Sequence, residues 1–215
     1  MTLPKFLDHI KGMSERRPVF HSEANFHLAL GWYLHETVPD SQVRLEFKPF
    51  ESENMYLDIW LQTTLGIAIE LKCLTRELKV EREGELFALR NQSAQDIRRY
   101  DFIMDIRRLE RVVNHSGLAE EVGFVVLLTN DPSHWGSPQR GWENRTDGAF
   151  RIHEGRVIKG EMEWSERASE GTKKGREESI SLRGSYELNW RDYLLNFQRR
   201  EVRKVQVSVG GGAAF

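Results

Sequence analysis

Residues 55–75, MYLDIWLQTTLGIAIELKCLT, constrain the fold of this chain more than any other stretch. Two apolar segments, YLDIWLQ at 56–62 and GIAIELKC at 66–73, carry the β-branched and aromatic residues that suit a pleated, buried surface. A bend near Thr63 and Thr64 joins them, so they read as neighbouring core strands. Asp58, Glu70 and Lys72 nevertheless lie inside them. Side chains alternate across a strand, so Ile67, Ile69 and Leu71 share one face while Ala68, Glu70 and Lys72 share the other. Leu57, Ile59 and Leu61 likewise oppose Tyr56, Asp58 and Trp60. Paired as a hairpin, the strands bring Asp58, Glu70 and Lys72 to one face, beside Tyr56, Trp60 and Ala68. An unpaired buried ion is costly, so something must compensate these three. An exposed Glu70–Lys72 ion pair is one solution. A divalent cation held by Asp58, Glu70 and the main-chain carbonyl of Leu71 is another, because hard Mg²⁺ or Mn²⁺ prefers oxygen ligands.

The flanking sequence supplies helices and further strands. From Ser22, a good N-cap, Phe26, Ala29, Leu30, Tyr33 and Leu34 recur at helical spacing, and Pro39 limits the helix. VRLEFK at 43–48 reads as a strand before the charged pair. TRELKVEREGELFAL after it reads as a hairpin turning near Glu83-Gly84. Residues 92–114 carry Phe102, Ile106, Leu109 and Val113 on one stripe and predict the longest helix. VGFVVLLTN at 122–130 is almost wholly apolar, as expected of a strand covered on both faces with a parallel neighbour.

Beyond Asp131 the pattern weakens. DPSHWGSPQRGWENR is loop-like, AFRIHEGRVIKGEMEW and ISLRGSYELNW each suggest a hairpin, and SERASEGTKKGREE a mobile charged loop. RDYLLNFQRR is expected to be a short helix and GGGAAF a frayed end. The division expected is a core with an N-terminal arm over 1–130, a β-rich extension of the same domain over 131–206, and a flexible tail over 207–215.

A chain of 215 residues, 39% hydrophobic and 30% charged, can bury one sizeable core without staples. The lone Cys73 excludes an internal disulfide and a cysteine-rich zinc site. Neither a signal-like apolar run nor a membrane-length one is present, which leads to the expectation of a cytoplasmic protein with no membrane partner. A formal charge of −2 argues against a broadly basic nucleic-acid coat, although the arginine pairs at 98–99 and 107–108 can still form a local patch. There is no G-x-x-x-x-G-K-[ST] loop and no Ser/His/Asp or Cys/His arrangement, and the seven histidines form no metal constellation. Trp135, Trp142 and Trp164, mixed with Arg140, Arg145 and Arg151, read as packing rather than as a base-stacking surface.

Asp58 followed by Glu70-Leu71-Lys72 on consecutive strands resembles the PD-(D/E)xK nuclease superfamily, with Leu57 where the name-giving proline would stand. The helix, three strands, helix, strand order over residues 21–130 resembles its αβββαβ core. The fold class implied is α/β and restriction-endonuclease-like, a mixed central sheet flanked by helices, here with a C-terminal β-rich extension. The resemblance implies a Mg²⁺-dependent nuclease, Mn²⁺ substituting, that hydrolyses phosphodiester bonds of nucleic acid, most naturally DNA, in restriction, repair or phage defence. Asp58, Glu70 and Lys72 would be catalytic; Glu23, Asp58, Glu70 and Leu71 would surround the metal. Glu23 lies on the inward stripe of the first helix, where favouring the positive helix N-terminus is the alternative role. Gln95 and Arg99 share the stripe of Phe102 and Ile106, and with Gln92 and Tyr100 they would contact substrate. Lys72→Ala is expected to abolish cleavage and leave folding largely intact. A homodimer, a subunit of a larger complex, and a catalytically inactive nuclease-fold binding or scaffold module stay open.

Overall fold

The apolar segment after the long helix becomes the central strand of a six-stranded sheet. The computed structural model describes residues 1–115, 122–194 and 202–210. In chain order the elements are α1 (Leu3–Arg16), α2 (Glu23–Thr37), β1 (Gln42–Phe47), β2 (Leu57–Gln62), β3 (Gly66–Leu74), β4 (Leu78–Arg82) and β5 (Glu85–Leu89). They continue with α3 (Gln95–His115), β6 (Val122–Thr129), α4 (Pro132–Trp135), β7 (Val157–Met162), α5 (Glu170–Lys173), β8 (Ile180–Glu187), β9 (Trp190–Leu194) and β10 (Val202–Gly210). Two 3₁₀ turns, Trp142–Asn144 and Gly148–Phe150, lie between α4 and β7.

The large sheet runs β1-β2-β3-β6-β10-β9. Among the described residues its one parallel pairing is β3 with β6, from Ile67↔Val122 to Leu74↔Thr129; α3 provides the crossover such a pair requires. This is a mixed sheet flanked by helices. Burial on both faces explains why β6 reads as continuously apolar. Phe124, Val126 and Leu128 join Ile59, Leu61, Ile67, Ile69, Leu71 and Cys73 beneath α1 and α2. Val125 and Leu127 face the opposite layer with Trp60 and Ala68. Gly123 lets α3 approach closely, since a Cβ there would lie 3.1 Å from Leu109.

Local chemistry sets the helices. The Ser22 hydroxyl accepts the Asn25 N–H at 3.1 Å, and Phe26, Leu30 and Leu34 are buried along one stripe of α2. In α1, Phe6, Ile10 and Met13 are buried at helical spacing, and the Phe6 ring stacks on Phe124 with centroids 4.2 Å apart. The expected N-terminal arm is therefore an amphipathic helix that closes one side of the sheet. The β4–β5 hairpin turns at Glu83-Gly84, both left-handed (φ 51° and 79°), the conformation a two-residue hairpin loop prefers.

Pairings beyond residue 131 differ from expectation. β7 does not fold back on its own neighbour; it pairs with β8, from Val157↔Glu187 to Met162↔Ile180, and the charged connection between them contains the short α5. The chain then leaves that ribbon, and β9 joins the large sheet through β10. Residues 191–194, expected to begin a short helix, thus belong to the strand Trp190–Leu194; the remainder of that segment, 195–200, lies outside the described residues. β10 pairs with β6 along Arg203↔Thr129 to Gly210↔Val122, so the expected tail from residue 207 overlaps a sheet strand as far as Gly210. Residues 211–215 lie outside the described residues. Both sequence errors share a cause: an edge hairpin is defined by long-range partners that local periodicity does not contain.

The extension is fastened to α3 by polar contacts as well as by Phe150, Trp164 and Ile180. Buried Glu110 accepts the N–H groups of Arg183 at 3.0 Å and Gly184 at 2.7 Å, and the Tyr186 hydroxyl at 2.7 Å. Among the described residues no helix is long and apolar enough to cross a membrane.

Candidate active site

The strands β2 and β3 separate where the charges begin. Their pairing runs from Gln62↔Gly66 to Ile59↔Ile69 and stops, while β2 stays with β1 as far as Phe47↔Leu57. Among the described residues, the edge of β3 beyond Ile69 therefore has no strand partner on that side. Carboxylates take over: Asp58 Oδ2 accepts the Leu71 N–H at 2.6 Å, and Glu23 Oε2, from the first turn of α2, accepts the Cys73 N–H at 2.8 Å. A residue's N–H and C=O leave a strand on the same side, so the Leu71 carbonyl points into the gap that Asp58 and Glu23 flank. His27, one turn after Glu23, places Nε2 2.5 Å from the Asp58 carbonyl. His27, Glu46 and Asp58 also offer ligand atoms within 4.8 Å of one another, with Glu46 exposed.

Glu70 and Lys72 rise from the α3 face of β3, where α3 presents Asp105 and Arg108. Lys72 Nζ lies 2.8 Å from Asp105 Oδ2. Arg108 lies 3.2 Å from Glu70 Oε1 and 3.2 Å from Asp105 Oδ1, and donates to the Tyr56 carbonyl at 2.5 Å. Glu70 is only 3% exposed, and its Oε1 receives no well-directed hydrogen bond despite the nearby guanidinium. Glu110, on the same helix as Arg108, shows the contrast: a buried structural carboxylate with a donor on each oxygen. Glu70 lacks that satisfaction.

Electrostatics follow from this crowding. Burial pushes the Glu70 carboxyl well above the usual carboxylate range, and the negative charges of Asp105 and Asp58 push it further than Arg108 and Lys72 can reverse. Burial also raises Asp105, although Lys72 and Arg108 oppose it. For Lys72 burial acts downward, but the adjacent Asp105, together with Glu23 and Glu70, outweighs it and holds the ammonium protonated above its ordinary range. Glu23, Asp58, Glu70 and Asp105 supply four carboxylates against the two cations Lys72 and Arg108, so these six, when all are ionised, carry an excess of two negative charges, and Glu46 beside Asp58 adds to it. A divalent cation among hard oxygen donors matches that excess.

The other expected site residues take different partners. Gln95 Nε2 donates to Asp131 Oδ2 at 3.1 Å at the end of β6. Arg99 is 4% exposed; its Nε meets Asp147 Oδ2 at 3.1 Å, and Arg151 holds the second Asp147 oxygen at 3.0 Å. Tyr100 is 3% exposed, stacks on Trp164, and donates its hydroxyl to the Glu178 carbonyl at 3.0 Å. Gln92 is tied through its N–H to the Thr75 carbonyl at 2.8 Å. Arg99 and Tyr100 thus bind the extension to the core, while Asp58, Glu70, Leu71, Lys72 and Glu23 gather around the strand divergence. Asp105 and Arg108 escaped the sequence reading. The usable signal was Asp105 itself, a charge between Phe102, Ile106 and Leu109 on the buried stripe of α3, analogous to Glu70 within its strand.

Comparison of the chain with family models, with curated proteins and with solved structures finds no match in any of the three.

Proposed function

We propose that this chain is a divalent-cation-dependent nuclease of restriction-endonuclease-like fold that hydrolyses phosphodiester bonds, with DNA as its substrate. The observation that carries the reading is Asp58 set against the Leu71 N–H where two core strands part, with a buried, incompletely satisfied Glu70 near enough to feel its charge. The donor set fits Mg²⁺ or Mn²⁺: oxygen ligands, excess negative charge and no thiolate. When bound, such an ion supplies Lewis-acid stabilisation of a phosphodiester and activates water toward it. The chain's residues do the rest. Asp58 and Glu70 would hold the ion with the Leu71 carbonyl, and Glu23 braces β3 through Cys73. Lys72, kept protonated and aimed by Asp105, stabilises negative charge developing on the phosphate. α3 and Trp60 bound the face and limit water.

A second reading has its own support: Arg108 pairs with Glu70 and Lys72 with Asp105, a network that can stabilise a nuclease-fold module with no catalytic role. Incubation with supercoiled plasmid, linear duplex, single strands and RNA, in Mg²⁺, Mn²⁺ or chelator, separates the two. Chelator-reversible cleavage by the native chain, lost in Glu70→Gln, supports the nuclease. Nucleic-acid binding without cleavage and without metal dependence selects the inactive module.

A further inference from the structure

The same network contains a residue whose role in the proposed nuclease extends beyond holding α3 in place. Arg108 reaches across from the helix and meets three oxygens from three segments: Glu70 Oε1 on β3, Asp105 Oδ1 on its own helix, and the Tyr56 carbonyl just before β2. Its side chain is 30% exposed while that of Glu70 is 4% exposed, so the cation is the solvent-facing partner of a buried acid. A buried carboxylate crowded by Asp105 and Asp58 needs positive charge whether or not a metal is bound. Arg108 supplies it with imperfect geometry, since Glu70 Oε1 still lacks a directed donor.

We infer that Arg108 is the resident counter-ion of Glu70 and competes with the divalent cation for that oxygen. This rests on the metal-site reading proposed above and adds to it the residue that sets how tightly the cation is held. Cation entry displaces the guanidinium from Glu70; Asp105 and the Tyr56 carbonyl remain to receive it. Displacement costs an ion pair, so the native site binds more weakly than its ligands alone would allow.

The test measures Mn²⁺ binding by titration calorimetry and by the loss of free-ion electron-spin signal, in the native chain, Arg108→Gln, Glu70→Gln and the double variant. Arg111→Gln is the control, because Arg111 lies one turn along and pairs with exposed Glu53. Arg108→Gln should bind Mn²⁺ about tenfold more tightly, the expectation for removing one nearby, partly screened positive charge. Arg111→Gln should leave the affinity unchanged, and Glu70→Gln should remove the gain. Because Arg108→Gln strips Glu70 of its partner and can lower stability, the Mn²⁺-induced rise in Tm is compared as well; it should be larger in Arg108→Gln than in the native chain. Unchanged or weaker Mn²⁺ affinity in Arg108→Gln, with binding still dependent on Glu70, overturns the counter-ion role and spares the metal site. Absence of Mn²⁺ binding in both the native chain and Arg108→Gln overturns the two together.

Discussion

Replacing Lys72 by Met tests whether the charges on β3 belong to the architecture as well as to the chemistry. Met keeps most of the length and apolar stem of Lys and removes the ammonium. The Lys72 side chain is 20% exposed and that of Asp105 5% exposed, so the pair is largely withdrawn from solvent. Removing one partner of a buried pair costs about 3–5 kcal/mol when nothing else meets the remaining ion. Here Arg108 stays 3.2 Å from Asp105 Oδ1, which reduces the loss to about 2–3 kcal/mol, in the range of a charged hydrogen bond. With a urea m-value near 2.5 kcal/mol/M, the unfolding midpoint should fall by about 1 M at unchanged slope. Adding Asp105→Leu removes the orphaned acid, and the double variant should recover at least about 1 kcal/mol of the sum of the single effects. A midpoint shift below about 0.2 M, or strictly additive effects, would refute the claim that this pair is buried and coupled. The sequence-based expectation that neutralising Lys72 leaves folding intact is revised accordingly, so an activity loss in such a variant must be read beside its unfolding curve.

Glu70→Gln should stabilise the chain at neutral pH in the presence of chelator. The folded-state carboxyl titrates well above its ordinary value of 4.5, so ionised Glu70 opposes folding: the penalty is absent below the unfolded pKa and grows as pH rises toward the folded one. Melting curves from pH 4 upward should show Tm of the native chain falling relative to Glu70→Gln; parallel curves would remove the pKa argument. Asp147→Ala leaves Arg99 and Arg151 without their shared acid and should cost about 3–5 kcal/mol in urea unfolding, with the extension loosening first in hydrogen exchange. Phe6→Ala deletes a fully buried ring stacked on Phe124 and should cost about 3–5 kcal/mol; a loss under about 1 kcal/mol would mean that α1 is not part of the core.

The core layout was legible because its signals are local. Ser22 marks the start of α2, Glu83-Gly84 the hairpin turn, and the unbroken apolar run of β6 announces a strand buried on both faces. Strand alternation placed Glu70 and Lys72 on one face, but Asp58 reaches the Leu71 N–H because β2 leaves β3 after Ile59↔Ile69, and Leu57 packs with Trp60 rather than with Ile59 and Leu61. What alternation lacks is the partner across a layer. Asp105 and Arg108 meet these residues only once α3 lies over β3, and Arg99 and Tyr100 face Asp147 and Trp164 only once the extension folds back. β10 failed for the same reason: its pairing crosses more than seventy residues to β6, and β9 joins the sheet only through β10, so no short window of sequence records their place.

The most direct test is the anomalous difference density of a crystal grown or soaked with Mn²⁺. One peak is expected between the Asp58 and Glu70 carboxylates and the Leu71 carbonyl, at about the 2.0–2.2 Å ligand distances of a small hard cation, with the Arg108 guanidinium moved off Glu70. A map with no peak there, Arg108 still against Glu70 and Asp58 still bonded to the Leu71 N–H, would contradict the proposal that these strands part in order to hold a metal.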